Sequence, residues 1–258
     1  MFLFISDAHL GIGSAQEQEK RIDLLFECLD HYKPEMEKLF ILGDLFDFWF
    51  EWRHVILKRH FRVLCKLSEL TAAGVELHYL AGNHDFALSG FLQKEIGAQT
   101  HLDYFQFESN GKKFYLMHGD GLAPADWGYR ILKRIFRSRF NQKLFSYFHP
   151  NFSLALAHRS SYTSRRYSRR RWDIDGEAYL EAAERLIDQG NDYVLFAHTH
   201  EPLLMPIKSG FYVNTGDWMQ YFSYAVCTDG KMTLKYWGKP YIERREIQRQ
   251  VKAASTHA

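Results

Sequence analysis

The chain has 258 residues, 46% of them apolar and 16% aromatic, enough to bury one large core, and no low-complexity linker divides it. Its formal charge of +2 conceals an uneven distribution: residues 127–172 hold 12 Lys/Arg and no Asp or Glu, which leaves 21 Lys/Arg against all 31 acids elsewhere, a balance of −10. Cys28, Cys65 and Cys227 are few, odd in number and unpaired in spacing, which argues against a disulfide framework and a cysteine zinc site, and no apolar run approaches the roughly 20 residues of a membrane span.

From the N-terminus, Phe2-Leu3-Phe4-Ile5 is too short for a signal-peptide core and runs into Asp7, so a reducing, cytoplasmic setting is expected. Short β-rich runs predict strands at Phe2 to Ser6, Leu39 to Leu42, Val75 to Ala81, Phe114 to Met117 and Tyr193 to Ala197. Helical spacing predicts helices over Gln16 to His31, Trp52 to Ala73 and Glu177 to Gln189. After His200 come Phe211 to Asn214, Tyr221 to Thr228 and Lys231 to Trp237, with Asp229-Gly230 as a hairpin turn. The alternation predicts a sheet flanked by helices, and the late strands a second, more antiparallel sheet. The expected architecture is α/β: a four-layer α/β/β/α sandwich in one domain spanning residues 1–258.

One segment, about 125–175, fits neither sheet and is expected to be an inserted helical lid. From Tyr129 to Phe148 the apolar residues Ile131, Leu132, Ile135, Phe136, Phe140, Leu144 and Phe148 form a helical stripe, while Arg130, Lys133, Arg134, Arg137 and Lys143 take the other faces. A shorter apolar stretch, Phe152 to Ala157, and a charged run, Arg165 to Arg171, follow. The tail from about Gln248 is expected to fray.

Five polar islands sit at the predicted strand ends: Asp7-Ala8-His9, Gly43-Asp44-Leu45-Phe46-Asp47, Gly82-Asn83-His84-Asp85, His118-Gly119-Asp120 and His198-Thr199-His200. In open α/β sheets, ligand groups gather at such ends. Carboxylate oxygens and imidazole nitrogens without thiolate suit Mn, Fe or Zn in open coordination better than a closed zinc site. Two divalent ions about 3.5–4 Å apart clamp a phosphate and lower the pKa of a water between them. Such a pair needs a bridging carboxylate, and Asp44 in the tight Gly43-Asp44 turn is assigned to it. Asp7, His9 and His200 are assigned to one ion, and Asn83, His118 and His198 to the other. With only two aspartates and a neutral Asn83, the loaded site keeps net positive charge and attracts anions. His84 directly follows a ligand and is expected to point elsewhere, toward a leaving-group oxygen, as an imidazolium held by Asp47 or Asp85. Asp120 and Asp217 read equally as groups that orient a histidine and as loop caps.

Taken together, Asp-x-His, Gly-Asp-x-x-Asp, Gly-Asn-His-Asp, His-Gly-Asp and His-x-His resemble the signature of the calcineurin-like metallophosphoesterases, over about residues 1–217. The resemblance implies the ligand assignment above with Asp44 bridging, catalytic roles for Asp44, Asp47 and His84, and two divalent ions, Mn²⁺ ahead of Fe or Zn. Ala197 departs from it, standing where the family usually has glycine. The flanks Gly43 to Trp49, Asp126 close after His118-Gly119-Asp120, and the basic aromatic insertion resemble the UDP-2,3-diacylglucosamine diphosphatases of lipid A synthesis. That branch hydrolyses a nucleotide-linked diphosphate on a doubly acylated sugar, giving UMP and an acylated sugar 1-phosphate under a helical cap. His84 stands where the branch has arginine, which offers charge without a bidentate fork. On this resemblance Asn83, His84, Asp126, Arg165, Arg166, Arg169 and His198 are expected to contact substrate.

The basic segment has a bland reading as a solvated face whose Lys/Arg stems cover apolar surface. Two sharper readings are an anionic membrane surface, with the protein peripheral on the inner face of the cell membrane, and nucleic acid. The aliphatic stripe favours lipid. Alternatives to the diphosphatase reading are a soluble phosphodiesterase or nuclease of the same fold, and an inactive scaffold.

Overall fold

The computed structural model describes residues 1–88, 90–123, 127–154 and 172–238. Its first sheet is built on three parallel strands, β1 (Phe2–Ile5), β2 (Lys38–Ile41) and β4 (Glu76–Leu80), extended by β6 (Gln99–His101). On the other side of β1 lies the antiparallel hairpin β12 (Ser223–Thr228) and β13 (Lys231–Tyr236), giving the order β13-β12-β1-β2-β4-β6. The second sheet has the order β10-β11-β9-β8-β7, with β7 (Tyr104–Ser109), β8 (Lys112–Met117), β9 (Tyr193–Phe196), β10 (Leu203–Ile207) and β11 (Gly210–Asn214). A small parallel pair, β3 (Trp49–Phe50) and β5 (Asp85–Ala87), stands apart.

Side-chain alternation along these strands produces the layers. Phe2, Phe4, Phe40 and Leu80 face Phe114, Leu116, Leu195 and Val213 between the sheets. The opposite face of the first sheet, Leu3, Ile5, Leu39 and Ile41, packs with Leu25 and Leu29 of α1 (Ala15–Tyr32), Leu67 and Leu70 of α2 (Phe61–Ala72) and Leu92 of the short α3 (Phe91–Lys94). Val194, Phe196 and Tyr212 of the second sheet pack with Tyr179, Ala183 and Ile187 of α6 (Trp172–Asp188). The expected four-layer sandwich is therefore present. Each fully buried Leu or Phe in these layers contributes about 1.5–3 kcal/mol relative to exposure.

The distribution of strands differs from the expectation. The strands after His200 do not form the second sheet alone: β10 and β11 join it, whereas β12 and β13 close the first. The centre of the second sheet is parallel, β8 with β9 and β9 with β11. The reason is that β9 is buried on both faces, so it must lie inside a sheet. Strand β7 was not anticipated, although Phe105 and Phe107 alternate with Gln106 and Glu108 and the Asn110-Gly111 turn has the positive φ values, 51° and 68°, of a tight hairpin. The Asp229-Gly230 turn, at 50° and 76°, is as expected.

The predicted helix from Trp52 begins only at Phe61, after a 3₁₀ turn at Lys58–His60. Trp52 is drawn instead into an aromatic cluster with Phe48 and Phe50, and this contact overrides its helical spacing. By contrast, α1 begins where local chemistry directs it. The Ser14 side chain accepts from the Glu17 amide while Glu17 accepts from the Ser14 amide.

In the basic segment the single predicted stripe is divided between α4 (Trp127–Arg137) and α5 (Arg139–Phe145) at the extended Ser138. Ile131, Ile135, Phe136, Phe140, Leu144 and Phe148 are exposed, Phe140 by 75%. Phe145, outside that stripe, is the ring that packs on Phe48 and Phe50. The stretch 155–157, the run Arg165–Arg171 and the tail containing Gln248 lie outside the described residues. Among the described residues no helix is long and apolar enough to cross a membrane.

Candidate two-metal active site

The five islands meet at one end of the two sheets. Asp7 and His9 follow β1, Asp44 follows β2, Asn83 and His84 follow β4, His118 follows β8, and His198 and His200 follow β9. Three sets of ligand atoms each lie within 4.8 Å of one another: Asp7, His9 and His200; His9, Asp44 and His84; and Asp44, His118 and His198. Asp44 belongs to two of them. Its Oδ2 stands 3.8 Å from His9 Nε2 and 3.4 Å from His118 Nε2. Asp7 Oδ1 is 3.5 Å from His9 Nε2 and 3.6 Å from His200 Nε2. Asn83 Oδ1 lies 3.0 Å from His118 Nε2 and so joins the second half.

Backbone geometry makes this convergence. Asp7, His9, Asp44, His198 and His200 all have φ between 41° and 67°, the left-handed region that non-glycine residues rarely occupy. Such strain persists only where surrounding contacts over-determine it, and it clusters at functional sites. Cross-links between the islands supply those contacts: the His198 amide donates to Asp7 Oδ2 at 3.1 Å, the His84 amide to Asp44 Oδ1 at 2.8 Å, and the Asp44 amide to Asp85 Oδ2 at 3.0 Å. Gly82 is obligatory, because a Cβ there would lie 2.1 Å from Asp44 Oδ1. Ala197 is not among the positive-φ residues and its amide donates to the His118 carbonyl, so a methyl is accommodated where glycine is usual.

Supporting groups aim the imidazoles. His118 Nδ1 donates to the Leu42 carbonyl at 2.6 Å, and His200 Nδ1 to Asp217 Oδ2 at 3.3 Å, which turns each Nε2 lone pair into the site. Asp217 also caps a loop, accepting from the amides of Met219, Gln220 and Tyr221. Both readings of that residue therefore hold. Asp120 instead meets Lys133 of α4 at 2.7 Å.

His84 is held by Asp47, not by Asp85. Its Nδ1 donates to the Asp47 carbonyl at 2.6 Å, and the Asp47 carboxylate lies 3.6 Å away. This tie turns His84 Nε2 into the cluster, 3.9 Å from Asp44 Oδ2, rather than away from it. Asp85 is occupied elsewhere, accepting from the Gly82 and Asp44 amides and the Tyr79 hydroxyl. Asp126, Arg165, Arg166 and Arg169 lie outside the described residues.

Burial disfavours charge on both carboxylates, yet His200, His9 and His118 hold Asp7 below the ordinary range, and His118 and His84 do the same for Asp44. Burial likewise opposes charge on His118, but Asp44 overrides it and raises the imidazole to about 10. His198 is driven down to about 4 by burial and by His118 beside it. Asp85 is raised to about 6 by burial and by the Asp44 charge. Without a cation, a proton on His118 thus balances Asp44.

The donor set fits divalent ions. Asp7 Oδ1 and both ring nitrogens of His9 are buried and make no hydrogen bond, a state that costs about 1–3 kcal/mol per group unless something ligates it. Oxygen and imidazole donors around two centres, with one shared carboxylate, are what divalent ions take.

The calcineurin-like phosphoesterase family model matches residues 1–202. A Porphyromonas gingivalis (strain ATCC BAA-308 / W83) protein named UDP-2,3-diacylglucosamine hydrolase is 34% identical over 253 residues, covering 90% of this chain and 95% of its own. A Haemophilus ducreyi (strain 35000HP / ATCC 700724) protein of the same name is 26% identical over 220 residues, covering 84% of this chain and 91% of its own. Among solved structures, one described as a novel archaeal phosphodiesterase aligns with 91% of this chain and 98% of its own at 14% identity, with a TM-score of 0.48.

Proposed function

Because the chain belongs to the calcineurin-like phosphoesterase family, we propose that it is a metal-dependent hydrolase of UDP-2,3-diacylglucosamine or a closely related lipid-linked nucleotide sugar. Water is added across the diphosphate, giving UMP and an acylated sugar 1-phosphate. The observation that carries this reading is the convergence of donor atoms around Asp44 in a chain similar, over nine-tenths of its length, to a relative named for that hydrolysis.

Asp7, His9 and His200 would hold one ion, Asn83, His118 and His198 the other, and Asp44 both. Mn²⁺ is the proposed metal, with Fe and Zn the other ions this donor set takes. When bound, the pair supplies Lewis acidity to phosphate oxygens and lowers the pKa of a water between them. His84, with Nδ1 committed to the Asp47 carbonyl, presents Nε2 to the same space. As an imidazolium it would donate from there to the leaving-group oxygen, and Asp47 would keep the ring in place.

The proposed organisation is one domain with a lid inserted at about 125–175. Three observations support a lipid substrate and an anionic membrane surface on the cytoplasmic face: the acid-free 127–172 segment, its exposed apolar residues, and the contact of one of them, Phe136, with Phe86 two residues beyond His84. Asp126, Arg165, Arg166 and Arg169 are proposed contacts to the sugar and phosphates.

The test is incubation of the Mn²⁺-loaded protein with UDP-2,3-diacylglucosamine, a soluble UDP-sugar and a single-stranded oligonucleotide. UMP release from the diacylated substrate alone is expected. Cleavage of the oligonucleotide alone would replace this reading with the nuclease alternative.

A further inference from the structure

Three of the four cations of α4 reach neighbouring loops. Arg130, Lys133 and Arg137 share one side of the helix, spaced three and four residues apart. Arg130 donates to the carbonyls of Gly121 and Ala123, and Arg137 to the Ala81 and Leu102 carbonyls and the exposed Asp103 carboxylate. Lys133 has a different kind of partner. Its Nζ lies 2.7 Å from Asp120 Oδ2, with the two side chains 16% and 1% exposed.

Asp120 is an anomaly of the site. It is a buried acid two residues beyond His118, close enough to His118 and His198 to act on both electrostatically, yet it is absent from the ligand set that Asp44, His118 and His198 form. A carboxylate beside a divalent ion is a good ligand by charge and hardness. A cation paired with that carboxylate withholds it from an ion held by Asp44, His118 and His198.

We propose that Lys133 is a positioning residue that sequesters the Asp120 carboxylate, holding it out of the coordination of the ion carried by Asn83, His118 and His198. The inference rests on the metal-site reading above. Pairing fixes Asp120 in direction and cancels its charge, so the site keeps the positive surplus that draws a phosphate. The two halves differ in this respect. Asp217 serves the other half as the orienting partner of His200 and is steadied by three backbone amides, so it requires no outside cation.

The experiment uses the full chain and the variants K133M, K133R, D120N and K133M/D120N, with Mn²⁺ affinity read by calorimetry and kcat and KM on the diacylated UDP-sugar. K133M should bind Mn²⁺ about threefold or more tightly, because a carboxylate has been freed beside it, and lose about tenfold in kcat/KM, mostly as a raised KM. K133R should keep both values within about twofold, and D120N in the K133M background should bring both back to within about threefold of the parent. D120N alone also decides the matter should K133M not fold. It should leave Mn²⁺ affinity within about threefold, whereas a loss of about tenfold or more would make Asp120 a ligand or histidine orienter and overturn the proposal. Unchanged or weaker Mn²⁺ binding by folded K133M, or a loss that D120N does not relieve, would overturn it too. Metal binding by these variants stays informative if the parent cleaves a different phosphate compound, so failure of the substrate reading is told apart from failure of this one.

Discussion

The strand-end loops that carry Asp7, Asp44 and His198 and the α4–α5 segment that leans on them use charge in opposite ways. In the loops, Asp7, His9, Asp44 and His118 are buried, the backbone of Asp7, His9, Asp44, His198 and His200 is held at strained φ, and amides or a carbonyl from distant strand ends fix Asp7, Asp44 and His118. In α4 Arg130, Lys133 and Arg137 turn onto loop carbonyls, Asp103 and Asp120, while Ile131, Ile135, Phe140 and Leu144 are exposed. An amphipathic helix buries whichever face finds a complement. Here the complement offered by the loops is polar, and the apolar face remains exposed.

That contrast is open to direct attack. The largest effect is expected from Asp44→Ala, which removes the carboxylate shared by two ligand sets. Turnover should fall by more than about 100-fold, the upper range for losing a group that merely supports a ligand, with the fold retained by circular dichroism. Unchanged turnover would refute the bridging role. Next, Gly82→Ala should also impair Mn²⁺ binding strongly, since the new methyl would lie 2.1 Å from Asp44 Oδ1. In α4 the same change at Gly128, which has nothing within 4 Å, should raise stability by about 0.5–1 kcal/mol in a thermal melt. Equal responses at the two glycines would erase the distinction between strained loop and free helix.

A pH series gives a graded effect. His118 sits at about 10 without metal, above its ordinary 6.5, so its proton stabilises the metal-free fold below 6.5 and that contribution fades as pH rises toward 10. Metal binding must displace this proton. Apparent Mn²⁺ affinity should therefore climb with pH between 6.5 and 8.5, by up to about tenfold per unit, with proton release visible in buffers of differing ionisation enthalpy. A flat profile would mean that His118 is not a ligand. The smallest effect on the fold is expected at the outward apolar face. Phe140→Ser with Leu144→Ser should change stability by no more than about 0.5 kcal/mol per site while reducing cosedimentation with anionic vesicles. A large loss of stability would show that this face is packed rather than exposed.

Much of the site could be read before any coordinates. Asp-x-His and His-x-His name their donors because residues two apart in a tight strand-end turn can share a side, and the ligand sets indeed include Asp7 with His9. The supporting partners were less visible. Nothing local ties Leu42 to His118, Asp47 rather than Asp85 to His84, or Lys133 to Asp120; each pair is made by elements that meet only in the folded chain. Lys133 in particular has the spacing of a solvated residue.

By itself, the order of residues determined the strands β1, β2, β4, β8, β9 and β11 to β13, where the Ser14 cap and the Asp229-Gly230 turn fall, and which aspartates and histidines could ligate, because these follow from alternation, capping and donor chemistry within a few positions. Tertiary structure alone decided that β12 returns to pair with β1, that β8 and β9 lie in the second sheet rather than the first, and that α4 brings Lys133 to Asp120. Those outcomes depend on which distant face completes a buried surface or neutralises a buried charge, and periodicity within one segment carries no information about its partner.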